Sequence, residues 1–445
     1  MRLLVAIWLG KLIFFLTRLL SRGGGSAAPG YYALKIDPDL NKKLAKQIPQ
    51  NVVITGTNGK TTTARLLDHF VKHQDLKVIR NATGSNLARG VASTLISHCD
   101  LTGKINANLG IWELDEAVFN NVVFELKPQI MVFLNAFRDQ LDRYGEVDSV
   151  VKKWQNSLEK IDWEAAVIVN GGDNHTWSLT KNIKYPMSNV KFYEFRVKNH
   201  QMSQEKAQVG PGKHQDDFVA EITKNNGLSG LEFGLRFPDE KLRINLPIPG
   251  IYHVYDFLAA FSAYYLLNLP LKDINDHLQS YLPAFGRVEK IKLENNDAYI
   301  FLIKNPTGAT EVFSSIAPEF KPGDRLLIAL NDNFADGKDV SWIWDAQFEL
   351  LLKSENQKKQ SPIFRSSDLP IFCSGTRAAD LALRLKYAGA AVEQLKVEND
   401  LNRALLEAQK GLSGKLFILP TYTALLELQN ILAKSGVKSH YWKET

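Results

Sequence analysis

Residues 51–63 read NVVITGTNGKTTT, which predicts a buried strand, a glycine-rich turn and the start of a helix. The apolar run NVVIT is typical of a strand buried on both faces, and ARLLDHFVKHQ at residues 64–74 has the apolar spacing of a helix. Strand, glycine turn and helix open many phosphate-binding α/β units, because the backbone amides at the helix start point toward the anion. We therefore expect a nucleotide-binding domain built on a parallel sheet.

The turn is a shortened phosphate-binding loop. Its sequence is GTNGKT at residues 56–61, and Ile54 stands where the longer Walker A pattern has its first glycine. Glycines let backbone N–H groups approach phosphates, Lys60 offers a positive charge to the β- and γ-phosphates, and the Thr61 hydroxyl suits Mg²⁺. The alternative is a strand-to-helix turn with an incidental lysine. We assign these residues to nucleotide binding: Gly56, Thr57, Asn58, Gly59, Lys60, Thr61 and Thr62.

Three carboxylates lie at the end of a second buried-strand pattern, NLGIW. They are Glu113, Asp115 and Glu116. Ligands bind at the carboxyl ends of strands in open α/β sheets, so these side chains are expected near the phosphate-binding loop. The alternative is a solvated loop. We assign Glu113, together with Thr61, to a Mg²⁺ site.

Buried-strand patterns alternate with helical patterns through the first half of the chain, at residues 77–80, 109–114, 130–134 and 165–169. This alternation predicts a doubly wound parallel sheet. Residues 173–245 are polar, with turn signals at GPGK and KNNGLSG, and predict a β-rich antiparallel insertion or rim. Residues 253–267 return to a helical pattern.

The chain divides into three predicted parts. Residues 1–45 hold an N-terminal helix and a glycine-rich loop, and residues 46–285 form the central domain, with the β-rich insertion at 173–245. Residues 286–445 form a C-terminal, Rossmann-like α/β domain, because strand-like runs recur there with loops and helices between them. Those runs are AYIFLIK, RLLIALN, PIFCSG and KLFILPTY.

Composition excludes several classes of protein. The chain has 445 residues, of which 45% are hydrophobic and 23% charged, which excludes wholesale disorder, a fibrous repeat and a multi-span membrane protein. A net charge of +6, without basic and aromatic residues clustered on one element, gives no sign of nucleic-acid binding. The two cysteines, Cys99 and Cys373, are too few for a disulfide framework or a four-cysteine zinc site, and they suit a reducing cytoplasm.

The N-terminus carries an apolar run at residues 3–20 that Lys11 and Arg18 interrupt. With Arg22 these cations form a basic stripe on a helix, no small-residue cleavage site closes the run, and GGGSAAPG at residues 23–30 has the composition of a loop. Three alternatives stay open: a helix docked on its own domain, an interfacial helix that touches the membrane surface, and a transmembrane span.

Four motifs taken together resemble the Mur ligase superfamily. They are TGTNGKTT, the ELDE that ends the strand at residues 109–114, NAFRDQLDRYGE at 135–146 and FGRVE at 285–289. Further stretches resemble the MurT branch of that superfamily, and the resemblance spans nearly the whole chain: ATGSNLARG at 82–90, KNPTGATEV at 304–312, LNDNFADGKDVSWIWD at 330–345 and CSGTRAADLALRL at 373–385. The resemblance implies a Mur ligase-type central ATPase domain and the C-terminal domain of that branch.

The resemblance also implies an activity. Enzymes of that branch use ATP and Mg²⁺ to amidate the α-carboxyl of D-glutamate in the lipid II stem peptide, through an acyl phosphate, with ammonia from a separate glutaminase subunit in a heterodimer. The expected location is the cytoplasm, and the basic N-terminal helix suits a lipid-linked substrate at the inner face of the membrane, which residues 1–22 would contact. Two alternatives are a Mur-type ligase that adds an amino acid and a non-catalytic nucleotide-binding scaffold of wall synthesis.

Several site residues rest on the resemblance. It implies that Asn135 and Arg287 contact the nucleotide, although Arg287 also suits an inter-domain ion pair. Relatives place asparagines where this chain has His253 and Asp256, and His253 is assigned to the adenine ring. Asp173 is assigned to the rim of the nucleotide site.

The C-terminal domain of the branch implies one more role. An aspartate there is thought to orient the catalytic histidine of the glutaminase, and Asp339 is preferred over Asp345 for it; the alternative is that both cap loops. Lys60, Glu113 and Asp339 are thus the expected catalytic residues. Many relatives carry two CxxC pairs within residues 173–245, where this chain has no cysteine, so we expect no zinc.

Overall fold

The structure is a computed structural model that describes residues 1–19, 27–81, 85–137, 147–181, 188–200, 202, 218–238, 240–281, 287–293, 296–352 and 369–437. The side chains of Arg18 and Arg287 lie outside the described part. The described strands form a nine-stranded sheet, which we call the central sheet, and a six-stranded sheet, which we call the C-terminal sheet.

The first part of the chain supplies the elements of the central sheet. Its described helices are α1 (Arg2–Leu19), α2 (Ala28–Ile36), α3 (Leu40–Ala45), α4 (Lys60–Lys72), α5 (Ala88–His98), α6 (Phe119–Leu126), α7 (Val147–Leu158), α8 (Asn174–Ser178), α9 (Ile251–Leu266) and α10 (Ile274–Gln279). Its strands are β1 (Gln50–Thr55), β2 (Val78–Arg80), β3 (Leu109–Leu114), β4 (Ile130–Phe133), β5 (Ala165–Asn170), β6 (Val190–Val197), β7 (Phe218–Asn225), β8 (Leu231–Phe237) and β9 (Glu240–Leu246).

The central sheet has the strand order β2-β3-β1-β4-β5-β6-β7-β8-β9. Pairing is parallel from β2 to β7 and antiparallel between β7, β8 and β9. Strand β1 lies between β3 and β4, so the connections that leave β1 and β3 run in opposite directions across the sheet. The crevice at the carboxyl end of β1 is therefore the place where a ligand is expected.

Apolar side chains cover both faces of the central sheet. On one face α4 and α9 pack through Phe70 and Phe257, whose rings meet edge-on with centroids 5.9 Å apart. On the other face Trp112 and Trp154 are fully buried. This double burial explains the continuous apolar runs in β1, β3 and β4 that the sequence shows.

The β-rich segment continues the central sheet. The antiparallel pairing predicted for residues 173–245 is found for β7, β8 and β9, whereas β6 pairs in parallel with β5. Phe218 and Phe237 hold these strands to α9 by packing edge-on against Phe261. A parallel partner was not predicted because Lys191, Glu194 and Arg196 interrupt β6, whereas strands buried in a parallel sheet have continuous apolar runs.

The N-terminal helix α1 docks on its own domain. Ala6 and Ile7 are fully buried, and a Cβ atom at Gly10 would lie 2.8 Å from the Cδ1 atom of Ile96 in α5. Among the described residues, no helix is long and apolar enough to cross a membrane. The loop predicted for residues 23–30 is wrong from Ala28 onward, because α2 begins there with Pro29 in its first turn, where no backbone N–H is required.

The C-terminal sheet has the strand order β10-β11-β15-β12-β13-β14 and is parallel except for the hairpin of β10 and β11. Its strands are β10 (Arg287–Leu293), β11 (Asn296–Phe301), β12 (Arg325–Ala329), β13 (Ile371–Ser374), β14 (Leu395–Val397) and β15 (Leu416–Pro420). Its described α-helices are α11 (Pro306–Ile316), α12 (Glu349–Leu352), α13 (Ala378–Ala388), α14 (Leu401–Gln409) and α15 (Tyr422–Lys434). Apolar clusters lie on both faces of this sheet.

Candidate active site

The phosphate-binding loop links β1 to α4 and depends on two glycines. Gly56 has φ +135° and Gly59 has φ +90°, backbone conformations that residues with a side chain rarely adopt. A Cβ atom at Gly56 would lie 2.9 Å from the backbone of Asn135, and one at Gly59 would collide with the Asp256 carboxylate. The loop backbone is thus free of side-chain obstruction, and α4 begins at Lys60 directly after it. This geometry fits a phosphate at the start of α4.

Lys60 is held at the loop by a carboxylate. Its Nζ atom donates to Glu116 Oε2 at 3.1 Å and also to the Gly56 carbonyl oxygen. Burial alone would raise the pKa of Glu116, but the positive charges of Lys60 and Lys304 outweigh it and leave that pKa below its usual value. A bound phosphate would compete with Glu116 for Lys60. The sequence pointed to Glu116 only as one of three strand-end acids, without a role.

Thr61 and Glu113 lie together as predicted from the sequence. The Thr61 hydroxyl donates to Glu113 Oε2 at 2.8 Å, and both residues are buried. Asn81 fixes Glu113 through two bonds to its backbone, at 2.8 and 2.9 Å, and Arg80 lies 3.5 Å from Oε1. A hydroxyl and a carboxylate beside a phosphate-binding loop are the oxygen ligands that Mg²⁺ takes alongside phosphate oxygens and water. The pair therefore fits this ion.

Asn135 shapes the loop from the end of β4. Its Oδ1 atom accepts from the Asn58 backbone N–H at 2.8 Å, and its Nδ2 atom donates to the Asn58 carbonyl at 3.1 Å. Two residues on, the Phe137 N–H donates to the Thr57 hydroxyl at 3.0 Å. Asn135 lines the cavity described below, and its amide is committed to the loop backbone, so the contacts are those of a positioning residue. Thr62 is buried in the first turn of α4.

The C-terminal sheet contributes a second set of contacts to the loop. Asn305 and Asn58 exchange two side-chain hydrogen bonds, at 2.9 and 3.2 Å, and Lys304 Nζ lies 3.3 Å from the Thr57 carbonyl oxygen. The Asn305 carbonyl Oδ1 also caps α11 by accepting from Gly308 N at 2.8 Å. Lys304 and Asn305 belong to the motif KNPTGATEV, and the sequence alone did not indicate a role for either of them. The Asn-Pro pair at a helix start was the available signal.

A cavity opens between the loop and the C-terminal sheet. It holds about 720 Å³ of empty space, part of it open to solvent. The walls are largely apolar, with Phe137, Tyr252 and Phe301 among their residues, and Asn58 and Gly59 of the loop lie at one side. A cavity with apolar walls beside a phosphate-binding loop has the shape and chemistry for the base of a nucleotide.

His253 and Asp256 both lie in this cavity, on α9. His253 Nδ1 is 3.0 Å from Asp256 Oδ2, and His253 is 2% exposed. Its Nε2 atom is buried and has no hydrogen-bond partner among the described residues. The structure thus places His253 in the wall of the cavity, and its contact with adenine stays a prediction.

Asp173 and Arg287 were both predicted at the nucleotide site, but the structure shows no contact of either with the phosphate-binding loop among the described side chains. Asp173 is fully buried and caps α8, because its Oδ2 atom accepts from Thr176 N at 3.0 Å and from Ala136 N at 3.2 Å. It supports the segment after β4, and its role at the nucleotide stays a prediction. Arg287 begins β10, but its side chain lies outside the described residues, as does the predicted motif from residue 138 to 146.

Asp339 and Asp345 lie away from the cavity, on the surface of the C-terminal sheet's domain. Asp339 is exposed, and its Oδ1 accepts from the Ser341 N–H at 2.8 Å, which lowers the pKa of the carboxyl. Asp345 is exposed and directly follows the 3₁₀ turn at Ser341–Trp344. Trp344, 48% exposed, lies in this turn and packs edge-on against Tyr387, 72% exposed. Exposed aromatic rings are typical of a protein-binding surface.

Two domain families match the chain in the order that the two sheets predict. The Mur ligase middle domain matches residues 54–264, and the MurT ligase C-terminal domain matches residues 302–425. Over 460 residues the chain is 31% identical to subunit MurT of the glutamine-hydrolyzing lipid II isoglutaminyl synthase of Staphylococcus aureus. The alignment covers 98% of this chain and 99% of that subunit.

The chain belongs to the MurT family of Mur ligases. The Streptococcus pneumoniae subunit of the same name is 30% identical over 454 residues and covers 95% of each chain. MurF from Acinetobacter baumannii has the same fold, with a TM-score of 0.66 and 17% identity over 90% of this chain and 79% of that one. Mycobacterium tuberculosis folylpolyglutamate synthase, solved with ADP, also has this fold, with a TM-score of 0.63 and 12% sequence identity. The match covers 97% of this chain and 99% of that one. The predicted family and fold class are confirmed.

Proposed function

We propose that this chain is the ligase subunit of a lipid II isoglutaminyl synthase, and that it uses ATP to amidate the α-carboxyl of D-glutamate in the stem peptide. The observation that carries the proposal is the set of Lys60, Thr61 and Glu113 beside the loop residues Asn58 and Gly59, which line a cavity together with residues of the C-terminal domain. The full-length similarity to subunits of that name supports the choice of substrate.

A carboxylate reacts with ammonia only after one of its oxygens becomes part of a leaving group. ATP would supply a phosphoryl group for this purpose: the carboxylate oxygen attacks the γ-phosphorus, the bond to the β-phosphate oxygen breaks and ADP leaves. Ammonia then attacks the acyl carbon, forms the C–N bond and loses a proton, and inorganic phosphate leaves with the former carboxylate oxygen. Lys60 stabilises the charge that spreads over the phosphate oxygens. Thr61 and Glu113 would hold Mg²⁺ beside them.

The two alternatives explain less of the molecule. An amino-acid-adding ligase does not account for the match to the MurT C-terminal domain at residues 302–425. A non-catalytic scaffold does not account for a half-buried lysine and a buried hydroxyl and carboxylate arranged around an open loop.

Ammonia is proposed to come from a separate glutaminase subunit in a heterodimer. This chain offers no activated thiol, because burial raises the pKa of Cys373 to about 12 and also raises that of Cys99. Asp339 is proposed to orient the catalytic histidine of the partner, since it is exposed and lies two residues before the 3₁₀ turn that carries the exposed ring of Trp344. A fixed aspartate of this kind holds a histidine in one tautomer.

Helix α1 is proposed to contact the cytoplasmic face of the membrane, where a lipid-linked substrate lies. One face of α1 leaves large apolar side chains exposed, namely Val5, Trp8, Leu12, Phe15, Leu16 and Leu19. Residues 1–36 contain five Lys and Arg and no Asp or Glu, which suits anionic lipid. The double variant Leu12→Gln, Phe15→Gln should no longer sediment with anionic vesicles while it unfolds at the wild-type temperature. Unchanged sedimentation would contradict this contact.

The amidation is tested with ammonium in place of a glutaminase. The purified chain receives ATP, Mg²⁺, ammonium and lipid II, and mass spectrometry measures conversion of the stem-peptide carboxyl to amide. We expect conversion that Lys60→Ala abolishes and that Lys72→Ala, an exposed lysine on the same helix, leaves unchanged. Absence of conversion both with ammonium and with a glutaminase subunit plus glutamine would refute the proposal.

A further inference from the structure

Glu311 lies on α11 in the wall of the cavity, and the role given to it below rests on the proposed function, in which a nucleotide occupies that cavity. Lys304, Thr307, Gly308 and Glu311 all line the cavity, at the spacing of one helix face from Thr307 onward. Glu311 is thus one turn deeper than the residues beside the phosphate-binding loop. Glu311 belongs to the sequence motif KNPTGATEV, but the sequence alone did not indicate a role for it.

Glu311 is half-buried, and apolar side chains form part of the cavity wall that it shares. Val288, Phe301 and Val312 are among the residues that line the cavity with it. Burial raises the pKa of Glu311 to about 7, and no cation or hydrogen-bond donor among the described residues acts against this effect. A carboxylate in such a position costs stability, which indicates that it serves a ligand.

A second polar residue, His253 on α9, also lines the cavity. His253 Nε2 has no partner among the described residues, and Asp256 lies 3.0 Å from the other ring nitrogen. If the Nδ1 proton is donated to Asp256, Nε2 is an acceptor, as is the ionised Glu311 carboxylate. The residues that line the cavity therefore include an acceptor from each domain, and the walls around them are largely apolar.

We propose that Glu311 selects the base of the nucleotide: its carboxylate accepts a hydrogen bond from the exocyclic amine of adenine and rejects guanine. Adenine carries an N–H₂ donor at this position of the ring, whereas guanine carries a carbonyl oxygen. Two acceptors facing each other without a proton between them repel, and leaving buried polar groups unpaired gives strong discrimination. His253 supports the same choice from the opposite wall.

The test compares nucleotide affinities by calorimetry at pH 8, with MgATP and MgGTP as the ligands. The wild-type chain should bind ATP at least 100-fold more tightly than GTP. Glu311→Gln should reduce this preference below tenfold, chiefly by improving GTP binding, because an amide can turn to accept from adenine or to donate to guanine. Glu311→Ala should also lose the preference, through weaker ATP binding.

The control is Ser314→Ala, an exposed position on the same helix, which should keep the wild-type preference. A wild-type chain that binds both nucleotides equally, or a Glu311→Gln variant that unfolds like the wild type and keeps a 100-fold preference, would overturn the inference alone. A wild-type chain that binds neither nucleotide would overturn the proposed function, and this inference with it.

Discussion

Replacing Glu311 by glutamine should make the fold more stable at alkaline pH and have little effect at acid pH. The folded-state pKa of Glu311 is raised to about 7 from its ordinary 4.5. Below pH 4.5 the carboxyl is protonated in both the folded and the unfolded chain, so it costs nothing. As the pH rises toward 7, the unfolded chain ionises while the folded chain keeps its proton, and the free energy of unfolding falls.

The size of the effect follows from the two pKa values. At 1.36 kcal/mol per pK unit, the full cost above pH 7 is about 3 kcal/mol. Glu311 is partly exposed to the cavity, so we expect about 2 kcal/mol between pH 5 and pH 8. The assay is urea unfolding of the nucleotide-free wild type and of Glu311→Gln at both pH values.

The matched control is Glu407→Gln, which changes an exposed glutamate on α14 of the same domain. It should shift stability by less than about 0.5 kcal/mol at either pH. If Glu311→Gln gains no more than this control between pH 5 and pH 8, the carboxyl is not desolvated and the reasoning is refuted.

Three further predictions concern the loop and the partner surface. Glu113→Gln keeps a hydrogen-bond acceptor for Thr61 but removes the negative charge. The Mg²⁺ concentration that gives half-maximal ATP turnover should therefore rise at least tenfold. An unchanged Mg²⁺ titration would exclude Glu113 as a ligand. Asn305→Ala removes the cap of α11 and the two bonds to Asn58, so the unfolding free energy should fall by about 1–2 kcal/mol and ATP should bind more weakly; wild-type values for both would contradict the contact. Asp339→Asn should abolish amidation driven by glutamine and the glutaminase subunit while amidation driven by ammonium is unchanged, and equal losses in both assays would count against an orienting role.

The phosphate-binding unit was predictable because its signals are local. The buried strand, the glycines and the helix that begins at Lys60 occupy one continuous stretch, and the structure has them as β1, the loop and α4. The pairing of Thr61 with Glu113 was also predictable, since parallel strands that are neighbours in a sheet end at one edge.

Other features depend on contacts between segments that are far apart in the sequence, and a local sequence pattern does not predict such contacts. Strands β10 and β14 were not predicted, because one is rich in charges and the other has three residues, so that pairing with neighbours determines both. Glu311 lies on an ordinary helix face, and only the contact between the two sheets' domains makes that face a cavity wall. The bond of Lys60 to Glu116 likewise depends on the order of the strands.

The central claim is that a carboxylate oxygen of the substrate is phosphorylated, and an isotope measurement tests it most directly. Lipid II labelled with ¹⁸O in the α-carboxyl of D-glutamate is incubated with the chain, ATP, Mg²⁺ and ammonium, and the released phosphate is analysed by mass spectrometry. The account predicts one ¹⁸O atom in the phosphate for each amide formed, and no labelled phosphate with Lys60→Ala. Amide formation with unlabelled phosphate would contradict it.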